Sequence, residues 1–239
     1  MVGAIDATAS MNTGERRVAL LIPKSGWSRG HFEDYWLKKH GRLVATTPNY
    51  GRYRRDYVQD HVIREDLGAE AFPFAGVASV RLPPGEVPNF GDTSLFQERI
   101  LPDEEHFLDR TACVALRVRE HAVSTATAPV KCWALGVFDD AVTGREAALE
   151  ALRSLPRSVP RPVGFLFGEV IAPPTDLAGR SQPHPPRIDW VEEARFASVA
   201  DALIHYRQRK NSGAAPPLWA FISHEQVLFP PDSPSERSV

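Results

Sequence analysis

The sequence predicts an α+β fold in which two βαββαβ units pack together within one chain. Apolar strands and amphipathic helices follow one another in the same order in both halves. A four-stranded sheet with helices on one face leaves its other face apolar, and a second such sheet can cover it. With 239 residues, of which 43% are hydrophobic, the chain is long enough to build the core that this arrangement needs.

In the first half, a buried strand is predicted at residues 17–24, and further strands at residues 50–63, 74–82 and 113–118. A helix is predicted to begin at Ser28, because serine is a favoured N-cap residue and acidic residues follow in the early turns. Its apolar positions recur at helical spacing, so one face points inward. A second helix is predicted at residues 96–109, interrupted by Pro102.

The second half repeats this order, with strands predicted at residues 130–138, 163–171, 188–196 and 218–229 and helices at residues 144–155 and 199–210. We therefore expect a first repeat at residues 16–124, which carries the site, and a second, degenerate repeat at residues 125–229. Disordered segments are expected at residues 1–15 and 230–239, because a Pro/Ser-rich tail of this kind packs against nothing.

Composition excludes several classes of partner. Lysine and arginine number 28 against 30 aspartates and glutamates, so the charge balance argues against nucleic acid and against anionic lipid. No run of about 18 apolar residues and no secretory signal pattern occurs, so a cytoplasmic protein without a membrane segment is expected. The two cysteines, Cys113 and Cys132, lie in apolar runs without metal-ligand spacing.

Several short motifs of the first half resemble one known family. They are Pro23-Lys24 at a strand end, Ser28 at a helix start, Tyr35-Trp36-x-x-x-His40-Gly41, Tyr57-Val58-Gln59-Asp60-His61-Val62 and Phe107-Leu108-Asp109. Together they resemble the EthD-like branch of the dimeric α/β-barrel superfamily, whose subunits have a ferredoxin-like fold. Arg42 stands where that family commonly has proline, and the second half is similar only in its order of elements.

The resemblance implies a tandem fusion in which two ferredoxin-like repeats form an intrachain dimeric α/β barrel. The second repeat then takes the place of a partner subunit, and we expect either such a monomer or a homodimer. The superfamily includes polyketide cyclases, cofactor-free anthrone-type oxygenases, lactone isomerases and small lyases, so the fold alone does not name a reaction.

One face of the first predicted helix carries a candidate general base. Trp36 and His40 lie four residues apart and share this face with Phe32. A histidine beside such a hydrophobic wall would be neutral at pH 7, which is the state that a general base needs. The alternative is a core histidine bonded to a backbone carbonyl. The resemblance favours a catalytic His40, with Phe32 and Trp36 contacting the substrate.

In the strand predicted at residues 50–63, alternation places Tyr53, Tyr57, Gln59 and His61 on one face. This polar and aromatic row predicts either a barrel lumen lined for a ligand or a strand exposed to water. The family's Tyr-x-Gln-x-His pattern favours the lumen. There Tyr57 is expected to donate to a developing oxyanion, His61 to transfer a proton, and Tyr53 and Gln59 to contact the substrate.

The remaining candidates are assigned mostly to structure. Trp190 is expected to line the cavity from the second sheet, and the acidic residues 103–105 are interpreted as complementing a helix dipole. His205 is predicted at the surface and Tyr206 in the core. The helix predicted at residues 144–155 has no histidine or tryptophan, so a single site in the first half is expected.

Cofactor motifs are missing from the sequence. No glycine-rich phosphate loop, G-x-S-x-G elbow or HExxH pair occurs, so neither a nucleotide cofactor nor a metal is expected. The missing motifs do not exclude a haem ligated by a single histidine.

These observations lead to one function and two alternatives. The first is a cofactor-independent enzyme that performs acid/base chemistry (cyclisation, dehydration, decarboxylation or isomerisation) on a hydrophobic aromatic or polyketide-like small molecule. The second is a cofactor-free anthrone-type monooxygenase. The third is a non-catalytic protein that binds a small molecule in the same cavity.

Overall fold

A computed structural model describes residues 14–85, 89–124, 126–137, 146, 150, 152–182, 185–211 and 217–229. The predicted tail and most of the predicted leader lie outside the described residues, although the first strand already begins at Glu15. Most of the helix predicted at residues 144–155 also lies outside them, and helical backbone is described at residues 146, 150 and 152–154.

The first half contains four strands and the helices that cover them. Strand β1 (Glu15–Leu21) leads to helix α1 (Arg29–Tyr35), where Ser28 Oγ accepts a hydrogen bond of 3.3 Å from the His31 backbone N–H. The helix continues through a first π-helical turn (Trp36–His40) into α2 (Gly41–Ala45). The remaining elements are β2 (Tyr57–Arg64), β3 (Gly76–Arg81), a second π-helical turn (Phe96–Ile100), α3 (Leu101–Phe107) and β4 (Val114–Ser124).

The second half supplies four more strands and a long helix. They are β5 (Val130–Gly136), β6 (Gly164–Val170), β7 (Trp190–Phe196), α4 (Val199–Asn211) and β8 (Trp219–Phe229). None of the described helices is both long enough and apolar enough to cross a membrane.

The eight strands form one closed antiparallel barrel in the order β1-β3-β2-β8-β5-β7-β6-β4. Strands of the same half remain neighbours, and the halves meet where β2 pairs with β8 and β4 with β6. The sequence predicted an intrachain barrel in which the two sheets cover each other, and the structure contains a closed barrel. Because both edges of each sheet are hydrogen bonded to the other sheet, the two halves form one continuous wall around one interior.

Strand β2 begins later than predicted. Tyr50–Arg52 forms a 3-10 turn, preceded by Asn49 in a left-handed conformation (φ 57°), and the strand starts only at Tyr57. Asparagine tolerates this conformation better than most residues, so it can end the preceding helical segment here. Tyr53 is therefore not on the same strand as Tyr57 and Gln59.

The barrel interior is apolar over most of its height and ionic in one layer. Alternate strand residues point inward and form an apolar cluster that includes Leu20, Val77, Leu116, Trp133 and Phe221.

The ionic layer contains two buried cations. Lys131 Nζ lies 2.9 Å from Asp60 Oδ2, 3.2 Å from Glu193 Oε2 and 2.6 Å from Glu225 Oε2. Arg16 is ion-paired with Glu193 and, at 2.9 Å, with Glu120. Each cation faces at least two carboxylates, so the charge buried inside the barrel is compensated by protein groups.

Candidate active site

The candidate site lies outside the barrel, between the sheet and the helices of the first half. The inward positions of β2 are occupied by Val58, Asp60 and Val62, and Tyr57 and Gln59 therefore point to the helix side. The expected lumen placement of the Tyr-x-Gln-x-His row was wrong. Both faces of this strand are buried, one by the opposite wall and one by α1 and α2, so alternation alone does not identify the inside.

His40 is held by a carboxylate from the other helix of this layer. Its Nδ1 lies 2.7 Å from Asp103 Oδ2, and the Tyr35 hydroxyl donates to Asp103 Oδ1 at 2.6 Å. Burial acts to raise the pKa of Asp103, but the hydrogen bonds from His40 and Tyr35 outweigh it and the pKa is lowered. An ionised carboxylate only accepts, so Nδ1–H is the donor and the lone pair of a neutral ring is on Nε2.

Tyr57 is the second polar group of the site. Trp36 Nε1 and Gln59 Nε2 each donate to its oxygen at 3.1 Å, which leaves the Tyr57 proton available for a ligand. Burial raises the pKa of Tyr57, so this proton is retained at neutral pH. The Gln59 amide is fixed in turn by its bond to the Trp36 carbonyl, 2.9 Å, and by His61 Nε2, which lies 3.1 Å from Gln59 Oε1.

These groups face a cavity of about 100 Å³. Trp36, His40, Tyr57 and Glu104 line it together with apolar side chains, among them Leu21, Val44, Ile100 and Phe107. Burial raises the pKa of Glu104, against the lowering effect of His40 and of its ion-pair partner Arg110 at 3.0 Å. Among the described residues, no group of three or more His, Cys, Asp or Glu side chains could hold a metal ion.

The structure brings only part of the predicted residue set to the cavity. His40, Tyr57 and Trp36 line it, and Gln59 lies directly behind Tyr57. Phe32 is buried and stacks on Trp36 with centroids 5.4 Å apart, and His61 packs against the Trp36 ring at a tilt of 38° with centroids 4.6 Å apart.

Tyr53 lines an adjoining open cleft, and Trp190 packs against Phe167 in the second half. His61, Phe32 and Trp190 are therefore not positioned to touch a ligand in this cavity. His205 was predicted at the surface but is buried, with Nδ1 3.0 Å from the Pro160 carbonyl oxygen.

Four lining or supporting residues were missed: Asp103, Glu104, Arg17 and Arg54. The two carboxylates were attributed to the helix dipole, which describes their position in α3 but not the direction of their side chains. The sequence did contain a signal for Arg17. Arg16 and Arg17 are adjacent in β1, and neighbouring residues of a strand point to opposite faces, so one of the two must lie on the helix side of the sheet.

The fold and site together define a mixed α/β barrel protein with a histidine–carboxylate pair in an apolar cavity. The EthD domain family model matches residues 24–111, the segment that contains His40, Tyr57 and Asp103. The match assigns an EthD domain to this segment of the first half.

The solved structures that the chain matches share little sequence with it. A candidate monooxygenase from Lactobacillus acidophilus NCFM is 10% identical, with a TM-score of 0.49 over 90% of this chain and 96% of that one. An anthrone oxidase-like protein is also 10% identical, with a TM-score of 0.47 over 95% and 97% of the two chains. At these values neither likeness indicates a reaction. No curated protein matches the sequence.

Proposed function

We propose that this protein is a cofactor-independent enzyme in which His40 removes a proton from a hydrophobic aromatic or polyketide-like small molecule. The observation that carries the proposal is the 2.7 Å contact between His40 Nδ1 and Asp103, because it directs the basic nitrogen, Nε2, away from the carboxylate. Nε2 has no hydrogen-bond partner among the described residues, and His40 lines the cavity. A base held in this way is ready to accept a substrate proton.

The neighbouring groups suit the charges that this step creates. As Nε2 takes the proton, the Asp103 carboxylate stabilises the imidazolium, and the negative charge moves onto the substrate oxygen. The rings of Tyr57 and His40 lie 6.0 Å apart between centroids, and the Tyr57 hydroxyl donates a hydrogen bond to this oxygen. Return of the proton from His40 to another substrate atom completes an isomerisation, a cyclisation or a dehydration.

The second half serves as a degenerate partner of the first in this proposal. Its strands run in the order β8-β5-β7-β6, which corresponds to β4-β1-β3-β2 in the first half. In its helical region at residues 152–154 and just after it, Leu152 and Leu155 are buried, and the described residues there include no histidine or tryptophan. This half completes the barrel, and the acid/base groups lie in the first half.

Dithranol, a phenolic anthrone with an acidic methylene, tests the proposal. Under nitrogen in deuterated buffer, the wild-type protein should catalyse exchange of the methylene protons. His40→Gln should lower this rate about 100- to 10,000-fold, the usual contribution of a positioned base. His205→Gln, a buried histidine of the second half, is the matched control and should keep the rate, with both variants checked by thermal melting.

The same experiment under air separates the alternatives. In an anthrone-type oxygenation, the deprotonated carbon reacts with O2, and the methylene becomes a carbonyl with release of water. Enzyme-dependent oxygen uptake would identify that reaction. If exchange proceeds only at the rate of the protein-free control and no oxygen is taken up, the protein is better explained as a binding protein. If His40→Gln and His205→Gln lose activity equally, the assignment of the chemistry to the first half is wrong.

A further inference from the structure

Two adjacent arginines of β1 have opposite environments. Arg16 points into the barrel and is ion-paired with Glu120 and Glu193. Arg17 points outward and lines the cavity, and the only hydrogen bond of its side chain among the described residues is a 3.3 Å donation from Nη2 to the Leu177 carbonyl oxygen. No carboxylate in the described part of the chain lies within ion-pairing distance of Arg17.

Arg54 is a second cation of this cavity without a carboxylate partner. Its side chain is buried, with 9% of the residue exposed, and its guanidinium lies 5.5 Å from the centre of the Phe90 ring. Nη1 donates to the Tyr53 carbonyl oxygen at 2.7 Å, and the described residues supply no ion-pair partner. Burial lowers the pKa of both arginines, and repulsion by Arg17 contributes to the lowering at Arg54.

The two carboxylates that attract Arg17 at longer range are each ion-paired with another arginine. Glu104 lines the same cavity but is bound to Arg110 at 3.0 Å. Asp176 is bound to Arg180 at 2.8 Å. The ionic layer inside the barrel pairs its buried cations directly with carboxylates. Two arginines that line a cavity without any ion pair among the described residues therefore indicate that a ligand supplies the anion.

We propose that Arg17 and Arg54 bind a carboxylate of the substrate, which is therefore an aromatic or polyketide-like carboxylic acid. Arginine presents a planar set of donors that matches a carboxylate, and the adjoining open cleft gives such a ligand access to both arginines. The ring system then lies against the apolar lining between the arginines and His40. This inference rests on the proposed function, because it names the substrate class of the same cavity.

Binding of naphthoate and of its neutral analogue naphthamide, measured by calorimetry, tests the proposal without requiring turnover. The wild-type protein should bind naphthoate on the order of tenfold more tightly, which corresponds to about 1.4 kcal/mol. Arg17→Gln and Arg54→Gln should each remove this preference by weakening naphthoate binding alone. If Arg54→Gln does not fold, Arg54→Lys replaces it in the test. This variant keeps the charge and should retain part of the preference for naphthoate.

Arg119→Gln is the matched control, since Arg119 lies on a neighbouring strand and is bound to Glu169 at 3.1 Å, away from the cavity. It should keep the wild-type preference. Failure of the wild-type protein to bind naphthoate, equal binding of the two probes, or equal weakening of both by the cavity variants would overturn the proposal. His40→Gln should leave the preference intact while lowering proton exchange, so failure of the proposed function is distinguishable from failure of this inference.

Discussion

At the scale of single residues, the site depends on a contact that local sequence patterns do not contain. Helical spacing predicts that Trp36 and His40 share a face, and both line the cavity. Asp103 lies 63 positions away from His40, and its direction is fixed only when α3 packs beside the first π-helical turn. Alternation likewise places Tyr57 and Gln59 together, but their side of the sheet depends on the helices that cover it.

Asp103 is a positioning residue, so its replacement should lower kcat more than it raises KM. In Asp103→Asn the imidazolium formed during proton removal loses its anionic partner, and we expect kcat for exchange to fall about 100-fold or more. Tyr35→Phe removes only the hydroxyl that donates to Asp103 and should cost less than about tenfold.

Steady-state exchange kinetics on the folded variants measure both effects, and Asp103→Glu should restore part of kcat. A rise in KM with unchanged kcat would show that Asp103 acts in binding alone.

At the scale of elements, both helical segments that face the cavity contain a π-helical turn. The first, Trp36–His40, supplies two lining residues at its ends, and the second, Phe96–Ile100, does the same before α3 begins. A wider turn changes the direction of the side chains that follow it, and such turns are frequent at functional sites. The sequence predicted both of these helical segments, but hydrophobic periodicity does not distinguish a π turn from an α turn.

Strand β3 approaches the first π turn so closely that it needs a glycine. A Cβ placed on Gly76 would lie 2.5 Å from Trp36 Cζ3, so Gly76→Ala must displace the Trp36 ring. We expect a loss of about 1–3 kcal/mol in the free energy of unfolding, together with slower proton exchange, because Trp36 also bonds Tyr57.

Gly30→Ala is the matched control for urea denaturation, since a Cβ at this position of α1 meets nothing within 4 Å. It should be neutral or slightly stabilising. Equal effects of the two substitutions would contradict the close packing of β3 against Trp36.

At the scale of the whole molecule, the buried ionic layer ties together strands of both halves. Glu193 of β7 contacts Arg16 of β1 and Lys131 of β5. Burial acts to raise the pKa of Glu193, but Arg16, Lys131 and Arg195 lower it to about 2. The sequence does not predict these long-range ion pairs, because the alternation pattern of a strand predicts that each charged side chain is exposed at the surface.

The pKa of Glu193 makes stability depend on pH. Its folded-state pKa lies below the ordinary value of 4.5, so its contribution is complete above about pH 4.5 and is lost as the pH falls towards about 2. Glu193→Gln leaves buried cations undercompensated and should cost about 3–5 kcal/mol at pH 7. Urea denaturation at several pH values should show the difference between wild type and variant shrinking below pH 4.5, and a constant difference would contradict this account.

Closure of the barrel also constrains the order in which the chain can fold. Strand β2 pairs with β8, and β4 pairs with β6. Both edge strands of the first half therefore remain unpaired until strands of the second half have been synthesised. Until then they expose unpaired backbone groups, which are templates for pairing with other chains. The late arrival of β8 therefore makes the nascent protein, rather than the finished barrel, the form most vulnerable to aggregation.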